Sequence, residues 1–209
     1  MGTPIYFYKL TVDARGAPCI ARGLLSLAIC KPMIRSRAGE GAWIFGFGAS
    51  SPEMANRLIY IARVTRKLTG GEYYRGPEFR KRPDCIYQWV TGKRLKWKPG
   101  AKFHGPEGEG RDVGSFPQYR KANVLLSSNF RYFGAKGTTE YKKYSLIASA
   151  VEKLKRGHRV NHSEKLRSEL LGLQREIWLR YSKRKVLGRP THQDRTLRCN
   201  TDDPSCCNK

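Results

Sequence analysis

Residues 42–68 read AWIFGFGASSPEMANRLIYIARVTRKL, and this stretch decides the class of fold. Two apolar runs rich in aromatic and β-branched residues, Ala42 to Gly48 and Arg57 to Leu68, flank a polar turn, which is the pattern of strand, turn, strand. In the second run Leu58, Tyr60, Ala62 and Val64 share one face, and Ile59, Ile61, Arg63 and Thr65 share the other. Gly46 and Gly48 in the first run imply a close backbone approach or a bulge. Outward from this stretch the same signals recur. Residues 4–12 alternate, Leu24 to Cys30 is a short apolar run stopped by Pro32, and two brief strand-like runs cover residues 123–127 and 130–133. Thr69-Gly70-Gly71 ends the strand pattern, and Glu72-Tyr73-Tyr74 opens a short helix. Residues 75–120 read as loops. The first 134 residues are therefore mostly short strands with long loops, an α+β or small-barrel pattern rather than alternating βαβ units.

Past Gly137 the period changes. Tyr144, Ile147, Val151 and Leu154 recur at helical spacing. Ser163 can cap a longer helix whose stripe is Leu166, Leu170, Leu173, Ile177 and Tyr181, ended by Gly188 and Pro190. The expected organisation is a strand-rich domain over 1–137, a helical hairpin over 138–189, and a disordered tail over 190–209. The apolar stripe needs a partner. That partner is the strand-rich domain, the other helix, or a second copy of the chain, which would make a homo-oligomer.

The charge points to a partner class. Forty-one Lys and Arg against 17 Asp and Glu give +24 over 209 residues, with an isoelectric point near 10.2. The excess runs through both the strand-rich and the helical parts. Self-repulsion of this size is relieved by a polyanion, and nucleic acid is the first candidate. No run approaches the roughly 18 apolar residues of a membrane span. The first ten residues carry no signal-type apolar run, so the expected compartment is the cytoplasm and no membrane partner is expected. The densest basic stretch, 75–102, interleaves Arg75, Arg80, Lys81, Arg82, Arg94, Lys96 and Lys98 with Tyr87, Trp89 and Trp97. Cations that neutralise phosphate beside rings that stack on bases are the residue types of a nucleic-acid surface, although such rings also serve as core beneath a solvated loop.

Catalytic and metal motifs are sparse. No phosphate-binding GxxxxGK[ST] loop, GxGxxG after a strand or HExxH is present, and no cofactor or metal is expected. His192 with Cys199, Cys206 and Cys207 lacks metal-ligand spacing. Three residues remain as candidates for chemistry. Cys30 stands at a strand end before a cation, where a thiolate is stabilised, yet a small packed cysteine fits the same place. His104 follows the basic cluster, with Asp112 eight residues on, and a His/Asp pair can exchange protons.

Four blocks of the sequence, Leu27 to Arg35, Gly41 to Gly48, Arg57 to Thr65 continuing into Glu72-Tyr73-Tyr74, and Val124 to Gly134, together resemble the second type of nucleotide-modification-associated domain over about residues 4–135. That family is found in bacteria and their viruses beside systems that handle modified DNA bases. The resemblance therefore implies a DNA-modification or phage-defence setting, and it supplies no catalytic set. The family often has acidic residues where Ser128 and Asn129 stand, and Asp where Ala42 stands, which argues against carboxylate or metal chemistry there. More loosely, the glycine corner followed by WIFGFG and LIYIARV is similar to EVE, ASCH and PUA-like barrels, which implies a PUA-like small β-barrel with long basic loops.

Three readings follow. In the first, the chain binds DNA with modified bases: Lys31, Arg35 and Arg37 contact phosphate together with Arg94, Lys96 and Lys98, Trp43, Tyr87 or Tyr132 stacks on a base, and Asn129 reads its edge. In the second it is an enzyme acting on a DNA base, a glycosylase or base-modifying transferase, with His104 and Asp112 as acid–base residues and Cys30 as nucleophile. In the third the charge serves assembly alone. The first is preferred on the absence of a nucleotide or metal motif.

Overall fold

The computed structural model describes residues 2–155 and 157–192. The expected tail beyond residue 192 lies outside the described residues, as do Cys199, Cys206 and Cys207. In chain order the strands are β1 (Ile5–Leu10), β2 (Cys19–Ala21), β3 (Leu24–Leu27), β4 (Trp43–Gly48), β5 (Leu58–Arg63), β6 (Arg66–Leu68), β7 (Tyr87–Val90), β8 (Arg94–Trp97), β9 (Val124–Ser127), β10 (Asn129–Tyr132) and β11 (His158–Arg159). The helices are α1 (Pro32–Arg37), α2 (Glu109–Asp112), α3 (Ser145–Lys153) and α4 (Glu164–Arg180). Short 3-10 turns join them, among them the expected one at Glu72–Tyr74. The chain divides into two compact units, one of residues 2–13, 41–64 and 129–192 and one of residues 14–40 and 65–128. This division does not follow the boundary expected at residue 137.

The first unit is a mixed sheet in the order β10-β5-β4-β1-β11. β1 and β4 run parallel, from Ile5 opposite Trp43 to Leu10 opposite Gly48, and the other pairs are antiparallel. β1 and β4 are buried along their whole length and β5 at all but its last residue, which is why they read as nearly continuous apolar runs. The glycines of β4 answer to geometry. A Cβ on Gly46 would lie 2.2 Å from a ring carbon of Tyr60, and the β4–β5 register slips between Gly46 and Phe47. The helices α3 and α4 join the same core. Phe7, Phe45 and Ile61 of the sheet meet Ile147, Leu170 and Ile177. Ser163 caps α4 as expected, its hydroxyl accepting from the Leu166 N–H at 3.3 Å. The stripe Leu166, Leu170, Leu173 and Ile177 is therefore used inside this unit. Beyond α4 the backbone returns along β10, where Tyr132 N–H donates to Lys185 and Leu187 N–H donates to Tyr132, both at 2.8 Å, so that edge is covered.

The second unit holds an antiparallel sheet in the order β2-β3-β9-β6 and the separate hairpin β7-β8. Two expectations change here. Arg57 to Leu68 is not one strand. It breaks at Val64 and Thr65 into β5 and β6, which belong to different sheets. Residues 75–120, expected as loop, contain β7, β8 and α2. The fold is mixed α and β as expected, but no closed barrel forms among the described residues. Each large sheet is open and ends in two different edge strands, so the ladder never returns to its start. No helix among the described residues is long and apolar enough to cross a membrane.

Candidate active site

In the second unit β3 ends at Leu27, and the next residues change the direction of the chain. Cys30 takes φ 56° and Lys31 φ 43°. Two consecutive side-chain-bearing residues thus stand in the left-handed region, at about 1–2 kcal/mol each. Pro32 then opens α1, where its missing N–H is no loss. What holds the strained turn is Arg35, which is fully buried. Its Nε donates to the Cys30 carbonyl at 2.7 Å. Its Nη1 donates to the carbonyls of Lys121 (3.0 Å) and Asn123 (2.8 Å), and Nη2 to the carbonyl of Asp112 (3.1 Å). One guanidinium therefore ties the backbone of Cys30 to that of Asp112.

The side chains of those two residues meet through a third. Cys30 Sγ lies 3.5 Å from His104 Nε2. His104 Nδ1 is in short contact with Asp112 Oδ2. The Tyr87 hydroxyl donates to the same carboxylate oxygen at 2.7 Å. His104 and Asp112 are buried, while Cys30 is half-buried. His104 itself has φ 52°, a second strained position within the group. Burial acts to raise the Asp112 carboxyl, but the hydrogen bond and charge of His104, the Tyr87 hydroxyl and the Arg35 charge outweigh it and hold the group below the usual carboxylate range. An ionised Asp112 accepts from Nδ1–H, which turns the Nε2 lone pair toward the thiol. A cavity of about 620 Å³ opens against His104, lined also by Trp97, Lys102, Gly105 and Glu107.

The three residues singled out for chemistry are thus brought together, across 74 residues between Cys30 and His104 and eight between His104 and Asp112. The residues assigned to nucleic-acid contact scatter. Arg35 spends its donors on carbonyls. Tyr87 and Tyr132 are buried, the first bonded to Asp112 and the second to Asp13 at 2.8–2.9 Å, so neither ring is presented to a base. Trp43 is 9% exposed and packs edge-on against Trp178, whose indole N–H donates to Asn129 Oδ1 at 2.9 Å. Lys31 and Trp43, assigned to the phosphate and the base of one ligand, belong to different units. Arg37 and Arg94 are exposed, Lys96 pairs with Glu109 at 3.1 Å, and Lys98 donates to the carbonyls of Arg80 and Cys85. His192 donates its N–H to the Asp13 carbonyl and accepts from the Asp13 N–H at Nδ1. No group of residues able to hold a metal ion occurs among the described residues.

The sequence profile of nucleotide modification associated domain 2 matches residues 2–196. The chain belongs to this family. The match runs through α3 and α4, so the helical segment that seemed to lie outside the resemblance falls inside the family's region. No curated protein and no solved structure matches the chain.

Within this nucleotide modification associated domain, the Cys30–His104–Asp112 arrangement has the parts of an activated nucleophile: a thiol, a base beside it, and a carboxylate that orients the base. Of the three described cysteines, Cys19 and Cys85 are buried. Burial pushes the Cys19 thiol up, and the Cys85 thiol up to about 11, so neither competes as a thiolate at neutral pH. Sequence reasoning missed two supports. Arg35 had the look of a phosphate ligand and Tyr87 of a stacking ring, because charge and aromaticity along a chain do not reveal burial.

Proposed function

We propose that this domain is a base-modifying acyl transferase in which Cys30 is the covalent nucleophile, acting on nucleotides carried in DNA. The observation that carries the reading is the 3.5 Å approach of Cys30 Sγ to His104 Nε2, with Nδ1 of the same ring on buried Asp112. In the step envisaged, the thiol proton passes to Nε2 and the thiolate attacks an acyl carbon, forming a C–S bond as the carbonyl pair moves onto oxygen. Collapse expels an amine or alkoxide, which takes the proton from His104. A second nucleophile, an amine or hydroxyl of the modified base or water, then takes the acyl group from the thioester and restores the thiol. Asp112 stabilises the imidazolium, and Tyr87 and Arg35 keep Asp112 in place. The family's association with nucleotide modification supports a nucleotide substrate, and the +24 charge supports a polyanion as its carrier.

Alkylation by iodoacetamide, mapped by peptide mass spectrometry, tests the nucleophile. Cys30 is expected to be alkylated ahead of the buried Cys19 and Cys85, and His104→Gln to slow its alkylation about tenfold at fixed pH. Alkylation of Cys30 at an unchanged rate in His104→Gln would refute the assignment.

A further inference from the structure

A second cavity of the same unit, about 380 Å³, is lined by Arg75, Arg80 and Lys98 with Gln88, Trp89 and Tyr87 among its other walls. Three cations face it, and no carboxylate is among its lining residues. The cations are held in different ways. The Arg75 guanidinium lies over the Trp89 ring at 4.2 Å from its centre. Trp89 is fixed in turn by its indole N–H, which donates to the Gly71 carbonyl at 3.1 Å. The Lys98 ammonium donates to the carbonyls of Cys85 (2.7 Å) and Arg80 (3.2 Å), which anchors it at the wall and leaves one of its three protons for a ligand. The Gln88 side chain adds both a donor and an acceptor, the functions that read the edge of a base.

We infer that this cavity binds a phosphorylated nucleoside, with Arg80 and Lys98 on the phosphate, the Arg75–Trp89 stack against the base and Gln88 at its edge. A volume in the range of small-ligand sites, a flat cation–aromatic platform and concentrated positive charge suit a group that is a dianion at one end and a ring at the other. The ligand is either a free nucleotide or one unit of a single strand. This inference deepens the proposed function by naming where a nucleotide is held, but it rests on different groups, since none of the three cations belongs to the triad. Tyr87 is shared: it is among the residues that line the cavity, and its hydroxyl holds Asp112.

Titration calorimetry on the full chain decides the matter, with thymidine 5′-monophosphate, thymidine and a short oligothymidylate as probes. The phosphate-bearing probes are expected to bind, and thymidine about tenfold more weakly or not at all. Arg80→Ala and Arg75→Ala should each weaken binding by about tenfold without moving the thermal midpoint, because both side chains are exposed. Binding of the oligothymidylate in preference to the monophosphate, lost in the same variants, identifies a strand as the source, and the reverse order identifies a free nucleotide. No binding by the wild-type chain, equal binding of thymidine and its phosphate, or unchanged binding in both variants overturns the inference. Cys30→Ser should bind as the wild type does, and the cavity variants should keep the alkylation behaviour of Cys30, so failure of one assignment is distinguishable from failure of the other.

Discussion

Arg35 shows how a single side chain can be misjudged in type and still prove central. Its sequence neighbourhood, between Lys31 and Arg37 ahead of a glycine corner, is that of a basic loop. In the structure it satisfies four carbonyl hydrogen bonds with no exposure at all. Removal takes the guanidinium donor from the Cys30, Asn123 and Asp112 carbonyls, while that of Lys121 keeps the Asn123 N–H, so Arg35→Met should lower the unfolding free energy by about 3 kcal/mol or more, read from urea melts. A loss below about 1 kcal/mol would mean that water replaces the guanidinium. The carboxylates allow a test of opposite signs. Asp112 is held below the ordinary carboxylate range, so its contribution to stability is present above that range and lost as pH falls through its folded value. The deficit of Asp112→Asn against the wild type should therefore be full at neutral pH and shrink in acid. Asp13 is raised, chiefly by burial, against the Tyr132 and Thr191 hydrogen bonds and the His192 charge. Its contribution is present below the ordinary carboxylate pKa and is lost as pH rises through its folded value, so the wild type's advantage over Asp13→Asn should be greatest in acid and decline toward neutral pH. Urea melts of the three proteins across pH 3–8 check both, at the pH window set by carboxylates. Cys30, His104 and Asp112 were each legible from sequence as residue types, but their meeting was not. Nothing in a spacing of 74 residues announces a 3.5 Å contact.

The elements were legible where their burial is simple. β1, β4 and β9 and the helices α3 and α4 follow from apolar runs and helical spacing, because each has a single dominant environment. The β7–β8 hairpin was missed because only Tyr87 and Leu95 of its residues are buried, within a stretch dominated by charge. The break between β5 and β6 was missed because both strands continue one alternation across Val64 and Thr65, and only the change of partner reveals it. For α4 the stripe permits a sharp comparison. Leu170 is fully buried, whereas Leu179 is 81% exposed. Leu170→Ala should cost about 2–5 kcal/mol, and Leu179→Ala should stay within about 0.5 kcal/mol. Equal effects in thermal melts would mean that the stripe is not the face this helix buries.

At the scale of the whole molecule the dominant quantity is charge. With +24 spread through the chain rather than gathered in a tail, affinity for DNA should fall steeply with salt. The logarithm of the binding constant is expected to decline linearly with the logarithm of salt concentration, by about 0.9 for each duplex phosphate neutralised. Fluorescence anisotropy with a labelled duplex checks this, and a flat response between low and moderate salt would remove DNA as the carrier. The PUA-like barrel was an overreach of the same scale. Short strands and a glycine corner are equally consistent with open sheets, and closure depends on which edges pair, a property of the assembled chain that no local pattern carries.

The left-handed pair Cys30 and Lys31 has a consequence for how this protein can change. Glycine is the residue for which such backbone angles are free. Mutation at Lys31 toward glycine would therefore relax the turn and raise stability, while loosening the point from which the thiol is presented. Under the proposed thiol chemistry, folding and reaction would pull in opposite directions at this one place. A lineage drifting without need of such a reaction would gain robustness there, and one that used it would live with a slightly weaker fold.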